Sequence, residues 1–327
     1  MFTARFELRV PPFADTTHAQ LHREYRDMVS WCDDNGIATV IVSEHHGAED
    51  GFMPSPLVLA AAALARTDNI TVAVSALLLP LHDPIRVAED IATIDLMAPG
   101  RLSVTMGVGY REFEFDMFAK DRTRRGRDTE EAIELILRCW SGEPFEYQGR
   151  TIRVTPKPVT EPHPVLMVGG SVPASARRAA RLGLPFSPST PDQSLADLYY
   201  AEAARLGYET PFAIVPDGPS MVMVTEDPER TWAAIERHAL YDAALYASWQ
   251  YDDHHNLTAV DAHDVAGLAA SGQWEVLTPE GCAQLVRDKG SAMLHPLAGG
   301  IDPAIGWESL ELVKHQVMPL LADDPGG

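Results

Sequence analysis

The chain has 327 residues, 46% of them hydrophobic and 22% charged, a balance that suits a globular protein with a large core and excludes a disordered or fibrous chain. Asp and Glu number 47 against 26 Lys and Arg, a formal net charge of -21, so a face for a nucleic-acid backbone is not expected. Three cysteines, Cys32, Cys139 and Cys282, are odd in number and lack CxxC spacing, which argues against a disulfide framework or a thiolate zinc site and for a reducing, cytoplasmic compartment.

The N-terminal FTARFELRV alternates as a strand, with no basic stretch and long apolar run ahead of it, so neither secretion nor a membrane partner is expected. HAQLHREYRDMVSWCDDNG then carries apolar residues at helical spacing until Gly36 stops it. Strand IATVIVS and helix PLVLAAAALARTD follow, then strand ITVAVSALLL, helix PIRVAEDIATIDLMAPG, strand RLSVTMGV and helix DTEEAIELILRCW. Repeated strand-helix units without hairpin signals between them imply parallel strands joined by crossover helices.

EPFEYQGRTIRV reads as a surface hairpin, after which the rhythm resumes with strand PVLMVGG, helix PASARRAARLG and a short apolar LPFS. SLADLYYAEAARLG with PFAIV, SMVMVT with DPERTWAAIERHALYDAAL, and SAMLHPL with WESLELVKHQVMPLL complete the series. About eight such units, with no Pro- or Gly-rich linker, fit an α/β fold of one domain over residues 1–327, a (β/α)₈ TIM barrel with insertions. Residues 246–274, rich in His and Asp, break the rhythm and read either as a lid or as an irregular surface insertion.

In such a barrel the loops after the strands form the active face, and Glu44, His45 and His46 fall at the end of the second strand. Adjacent strand residues point to opposite sides, so convergence of both imidazoles on one metal is disfavoured and no metal site is assigned. One histidine facing the barrel mouth as ligand contact or general acid-base is the sharper reading, and a strand-end histidine satisfied by backbone is the alternative. MGVGYREFEF brings Gly107 and Gly109, which allow close approach of backbone to a flat ligand. VGGSVPASARR opens a helix at which Gly169, Gly170 and Ser171 would meet an anion, unless they form an ordinary cap. KDRTRRGRDTEE gathers Arg122, Arg124, Arg125 and Arg127, either a phosphate clamp or a solvated face.

Taken in order, SEHH, LLLPLHDPIRVAEDIATIDLMAPGRL, GVGYREFEFDMF with RRGRDTEEAIELILRCW, PVLMVGGSVPASARRAARLG and a closing VMPLL resemble the bacterial luciferase-like flavin-dependent oxidoreductases. The likeness spans most of the chain and is weakest from about Leu206 to Gly290. It implies a flavin in the barrel mouth, usually within a homodimer or heterodimer. His45 matches the family's histidine beside the flavin, with Glu44 and His46 as its neighbours. Ser75 and Ala76 match a non-proline cis peptide under the ring, Ser171 a phosphate-contacting serine and Arg125 a phosphate-contacting arginine. Gly107 and Val108 stand where luciferases carry a reactive cysteine and an arginine, which argues against light emission; Arg111 or another member of the basic cluster would have to replace that phosphate contact.

The leading expectation is a two-component monooxygenase that takes reduced FMN from a separate flavin reductase and uses O₂, through a C4a-hydroperoxyflavin, to oxygenate a small organic substrate. The alternatives are an F420-dependent oxidoreductase that moves hydride without O₂, a non-catalytic flavin-binding protein, and a metal-dependent barrel hydrolase.

Overall fold

Alternation dictates the walls. In FTARF the side chains of Phe2, Ala4 and Phe6 are buried while Thr3 and Arg5, on the other face, remain partly accessible, and the same two-residue period runs through TVIV and TVAV. The structure, a computed structural model, describes residues 1–250 and 260–322. Its strands are β1 (Phe2–Phe6), β2 (Thr39–Val42), β3 (Thr71–Leu78), β4 (Leu102–Gly107), β5 (Phe145–Tyr147), β6 (Arg150–Ile152), β7 (Val165–Gly170), β8 (Phe186–Pro188), β9 (Met221–Val224), β10 (Trp274–Leu277) and β11 (Ala292–Leu294).

Nine of these strands form one parallel sheet in the order β10-β9-β11-β1-β2-β3-β4-β7-β8, and β5 and β6 pair as the separate antiparallel hairpin that the sequence predicts. Helices connect successive strands, giving the α/β barrel architecture. Several begin where the sequence supplies a cap: Thr17 accepts from Gln20 N–H ahead of His18–Asp34, and Asp83 from Ile85 and Arg86 N–H ahead of Pro84–Met97. The helix Arg125–Cys139 buries Ile133 and Ile136 completely, each contributing roughly 1.5–3 kcal/mol, and so fixes Arg125 at its first turn against the barrel. No helix among the described residues is long and apolar enough to cross a membrane.

Three expectations need correction. PFAIV is not a strand: only Ala213 bridges to Phe186, because Pro211 and Pro216 bracket the segment. The irregular stretch 246–274 is narrower than expected, since the helix Pro228–Ser248 runs into it, Val265–Ala270 is helical and Trp274 opens β10. Residues 251–259, the middle of the expected lid, lie outside the described residues. The helix expected from Asp128 starts at Arg125, after a short 3₁₀ turn capped by Asp121.

Candidate active site

β2 ends at Val42, and Ser43, Glu44, His45 and His46 follow at the carboxyl end of the barrel. Beyond the strand, alternation no longer holds, yet the two imidazoles still part. His45 Nδ1 lies 3.0 Å from Glu114 Oε1, whereas His46 Nε2 lies 2.8 Å from Glu44 Oε1. A carboxylate only accepts, so Nδ1–H of His45 and Nε2–H of His46 are the donors. His45 thereby keeps Nε2 for whatever enters the mouth.

Glu114 was not singled out from the sequence, and it is the residue that orients His45. Its Oε1 also accepts from His46 N–H at 2.9 Å and from Arg111 Nη1 at 3.0 Å. Burial alone would push its carboxyl up, but the hydrogen bonds from His45 and His46 and the Arg111 charge hold it below the ordinary carboxylate value. The rings of Phe52, Tyr110, Tyr246 and Trp249 surround His45 at centroid distances of 4.8, 5.7, 6.2 and 4.9 Å. This wall excludes bulk water on that side.

Glu44 does different work. Its Oε1 accepts from His46 and, at 2.6 Å, from His82 Nε2, a second residue that sequence reasoning passed over; its Oε2 accepts from Leu78 N–H at 2.6 Å. The carboxylate thus ties the end of β2 to the end of β3. Burial opposes ionisation, yet the His46, His82 and Leu78 donors hold the Glu44 carboxyl low, while the Glu44 hydrogen bond and charge raise His82 despite its burial. The three polar atoms lie within 4.8 Å of one another, close enough to be a candidate metal set. Two short hydrogen bonds to one carboxylate oxygen account for the cluster as it stands.

Between these two anchors, the peptide joining Ser75 to Ala76 is cis, at the position the resemblance implies. Ala76 presses on β4: a Cβ added to Gly107 would lie 2.9 Å from the Ala76 Cβ, so the cysteine of luciferases has no room there. Gly109 adopts φ +69 and a Cβ there would meet Phe115 at 3.1 Å.

Across the mouth, β7 ends in Gly169 and Gly170. Gly170 has φ +144, and a Cβ on it would come within 2.1 Å of Ser175 Oγ in the first turn of the helix Pro173–Leu182, so only glycine fits. Ser171 and Ser175 face the same cavity as Arg125, and Val172, at the N-cap, has no side-chain oxygen to occupy the helix start. Arg178 packs against Gly126, where a Cβ would lie 2.7 Å from its Nη2. Burial, with Arg181 and Arg125 nearby, draws the Arg178 guanidinium below its usual value even though Glu130 opposes this. Arg125 and the helix start bring positive charge and backbone N–H groups to one corner, a combination that favours an anion.

One cavity of about 680 Å³ touches Glu44, His45, Ser75, Ala76, Gly107, Gly109, Arg125, Gly169, Gly170 and Ser171. Two residues expected at the site do not line it. His46 is turned to Glu44, and Arg111 is committed elsewhere: it donates to His46 O at 3.0 Å and to Glu114, with its guanidinium 3.9 Å over the Trp249 ring. Its expected contact with a cofactor phosphate is therefore corrected to a support for the His45 wall.

A second group missed from the sequence lies behind that wall. Arg9 is fully buried, donates to Asp50 at 2.6 Å and to Asp242, and has the rings of Phe52, Tyr246 and Trp249 within 5.2 to 5.7 Å. Tyr246 donates to Glu7 at 2.7 Å. These contacts pin the helix Pro228–Ser248 beside the mouth. The alternating FELR at the end of β1 was the available signal, since a buried face that receives Glu7 and Arg9 must pair them.

A family model described as luciferase-like monooxygenase matches residues 8–293. The chain belongs to that family. Among relatives, it is 25% identical over 174 residues to the oxygenase component of a flavin-dependent trigonelline monooxygenase of Acinetobacter baylyi, covering 51% of this chain and 48% of that one. It is 23% identical over 329 residues to an alkanal monooxygenase alpha chain of the Kryptophanaron alfredi symbiont, covering 88% and 89%. The chain spans about half the length of the first curated relatives it matches. Solved structures agree on the fold of this luciferase-like protein. The monooxygenase RslO1 of Streptomyces bottropensis superposes with a TM-score of 0.77 at 22% identity over 98% of this chain and 99% of that one. The oxygenating constituent of 3,6-diketocamphane monooxygenase of Pseudomonas putida, in complex with FMN, gives 0.73 at 20% over 97% of each. An F420-dependent secondary alcohol dehydrogenase gives 0.67 at 16% over 97% and 98%.

Proposed function

We propose that this luciferase-like protein is the oxygenase component of a two-component monooxygenase, taking reduced FMN from a separate reductase to oxygenate a small organic substrate with O₂. One observation carries the reading: a single cavity joins the cation-rich corner at Ser171 and Arg125 to an oriented His45, over the Ser75–Ala76 peptide. The residues fit FMN. A glycine-lined floor at Gly107 and Gly169 admits a flat ring, and the helix start with Gly170, Ser171, Ser175 and Arg125 suits a terminal phosphate.

When bound, reduced FMN supplies the electrons that activate O₂. His45, held through Nδ1 by Glu114, presents Nε2 to the reacting centre as proton donor or acceptor, and the aromatic wall keeps water away. Glu44 and His46 hold the ends of β2 and β3 in place beneath it. Gly109 gives the loop its turn.

The same reading takes the whole chain as one barrel unit that works in the cytoplasm, where Cys32, Cys139 and Cys282 remain buried free thiols. Self-association would use the helix Pro56–Leu64, apolar on every side with Val58 68% exposed, together with Leu96 and Met97 at the end of the helix that packs against it.

Anaerobic titration with reduced FMN and, separately, reduced F420 tests the cofactor. Reduced FMN is expected to bind the more tightly, with O₂ consumed on admission of air. Preferential binding of reduced F420 without O₂ uptake would reassign the chain to hydride transfer. Arg125→Ala is expected to weaken FMN about 10- to 100-fold while leaving riboflavin unchanged, since it removes one charged phosphate contact; equal losses for both would move the phosphate site elsewhere.

A further inference from the structure

Barrels of this kind ordinarily fill their interior with layers of bulky branched side chains. Here one side of the interior is lined by small and polar residues, with Met293, Arg5 and Ile41 completing the layers around the cavity. Thr3 pairs beside Thr39 and Thr39 beside Thr71, so three threonines share one layer near the amino-terminal end of the strands, with the Thr39 and Thr71 hydroxyls 2.8 Å apart. One layer nearer the mouth, Arg5, Ile41, Ala73 and Ser103 stand side by side, with Ala73 and Ser103 its small members. The exposures follow: Thr3, Thr39, Thr71, Ala73 and Ser103 are all partly accessible, while Ala4, Val40, Val72 and Val104, which face the helices, are completely buried. The centre of the barrel is more open than its outer packing.

The cavity that begins at the mouth continues past these layers and touches Met1, Asp217 and Lys289 at the opposite end. Met1 is 64% exposed, and the Asp217 and Lys289 side chains are 71% and 39% exposed, so the cavity reaches the surface there too. At about 680 Å³ with hydroxyl-bearing walls it is roomy and polar enough to be hydrated, since one water needs only ~30 Å³. The charged wall group, Arg5, is already matched by Glu7 at 2.7 Å and the Tyr246 hydroxyl at 3.2 Å, and Lys289 by Asp217 at 2.6 Å. The Met1 ammonium at that end donates to Gly290 O at 2.7 Å, so the charged groups of this lower half are engaged within the protein and it suits small neutral molecules.

We propose that the barrel is a through-channel with a second entrance at the amino-terminal end of its strands, admitting small neutral molecules of the size of water, hydrogen peroxide or dioxygen. Its use beneath an occupied mouth rests on the cofactor seat proposed above; its existence does not. The channel would let water and small products pass while the mouth is closed by larger ligands.

Thiol accessibility in the full chain tests this without any cofactor. The three native cysteines are buried and serve as the inert reference. Thr71→Cys places a thiol in the threonine layer, and methyl methanethiosulfonate is the probe, read by intact mass. Reaction at least tenfold faster than the native thiols is expected. Adding Ala73→Leu and Ser103→Leu plugs the channel between that position and the mouth, and the rate is expected to stay within about threefold. Protection of Thr71→Cys to the level of the native thiols would show a closed interior, and loss of reactivity only in the plugged variant would show that the mouth is the sole entrance; either overturns the proposal. Should the plugged variant not fold, Ser103→Leu alone provides the obstruction, with the same two outcomes. Failure of FMN to bind would leave these results unchanged and would count against the cofactor reading alone.

Discussion

Glu114 and Glu44 each hold one of two adjacent histidines, and the contrast between them separates chemistry from scaffolding. Glu114 gathers Nδ1 of His45, the His46 N–H and Arg111 on a single oxygen, and leaves His45 Nε2 toward the cavity. Glu44 takes Nε2 of both His46 and His82, with Leu78 N–H on its other oxygen, and so spends its capacity on joining two strand ends. A shared motif of adjacent residues therefore carries two roles. What decides between them is which ring nitrogen the carboxylate takes.

Between the two carboxylates, the larger effect that would break or sharpen this contrast is expected for Glu114→Gln. It keeps the shape and removes the charge that orients His45, and the oxidation of bound reduced FMN by O₂ is expected to slow roughly 10- to 100-fold, the worth of a hydrogen bond to a charged group. FMN affinity should hardly change. An equal slowing in Glu44→Gln would erase the distinction between the two carboxylates.

Glu44→Gln is instead expected to lower stability by about 1–3 kcal/mol, because buried donors on His46 and Leu78 lose a charged acceptor. Chemical denaturation reads this directly. No loss of stability with an altered oxidation rate would reverse the assignment.

The smallest effect is its dependence on pH. The Glu44 carboxyl is held below its ordinary 4.5, so its contribution is present above that value and is lost as pH falls through the lowered one. His82 is raised above 6.5, so its contribution is full below 6.5 and is lost as pH rises through the raised value. The deficit of Glu44→Gln should accordingly be greatest between about 4.5 and 6.5 and shrink toward alkaline pH. A deficit that grows above pH 7 would show that the Glu44–His82 contact does not supply it.

Much of the barrel was legible because local pattern and tertiary role agree. FTARF, TVIV and TVAV alternate since one face meets helices, and Pro after Asp or Thr marks several helix starts. β10 was missed because WEVL is four residues long inside a polar stretch, although Gly272 before it and the Thr278 cap after it bracketed the strand. The glycine corner at Gly169 and Gly170 was readable from residue type, and the Ser75–Ala76 peptide from the resemblance. Glu114, His82 and Arg9 were not, because each acts through partners distant in sequence: Glu114 meets His45 across 69 residues and Arg9 meets Asp242 across 233. Arg111 was assigned by charge to a phosphate, and only packing shows it stacked on Trp249.

The most direct measurement is a paired single-turnover experiment on His45→Gln and His46→Gln, each preloaded anaerobically with reduced FMN and mixed with O₂ while flavin absorbance is followed. The expected result is a change of roughly 100-fold or more in the oxidation rate for His45→Gln, the scale of a lost general acid-base group, with His46→Gln near the parent rate but less stable. Parent-like oxidation in His45→Gln, or an equal change in both variants, would contradict the account.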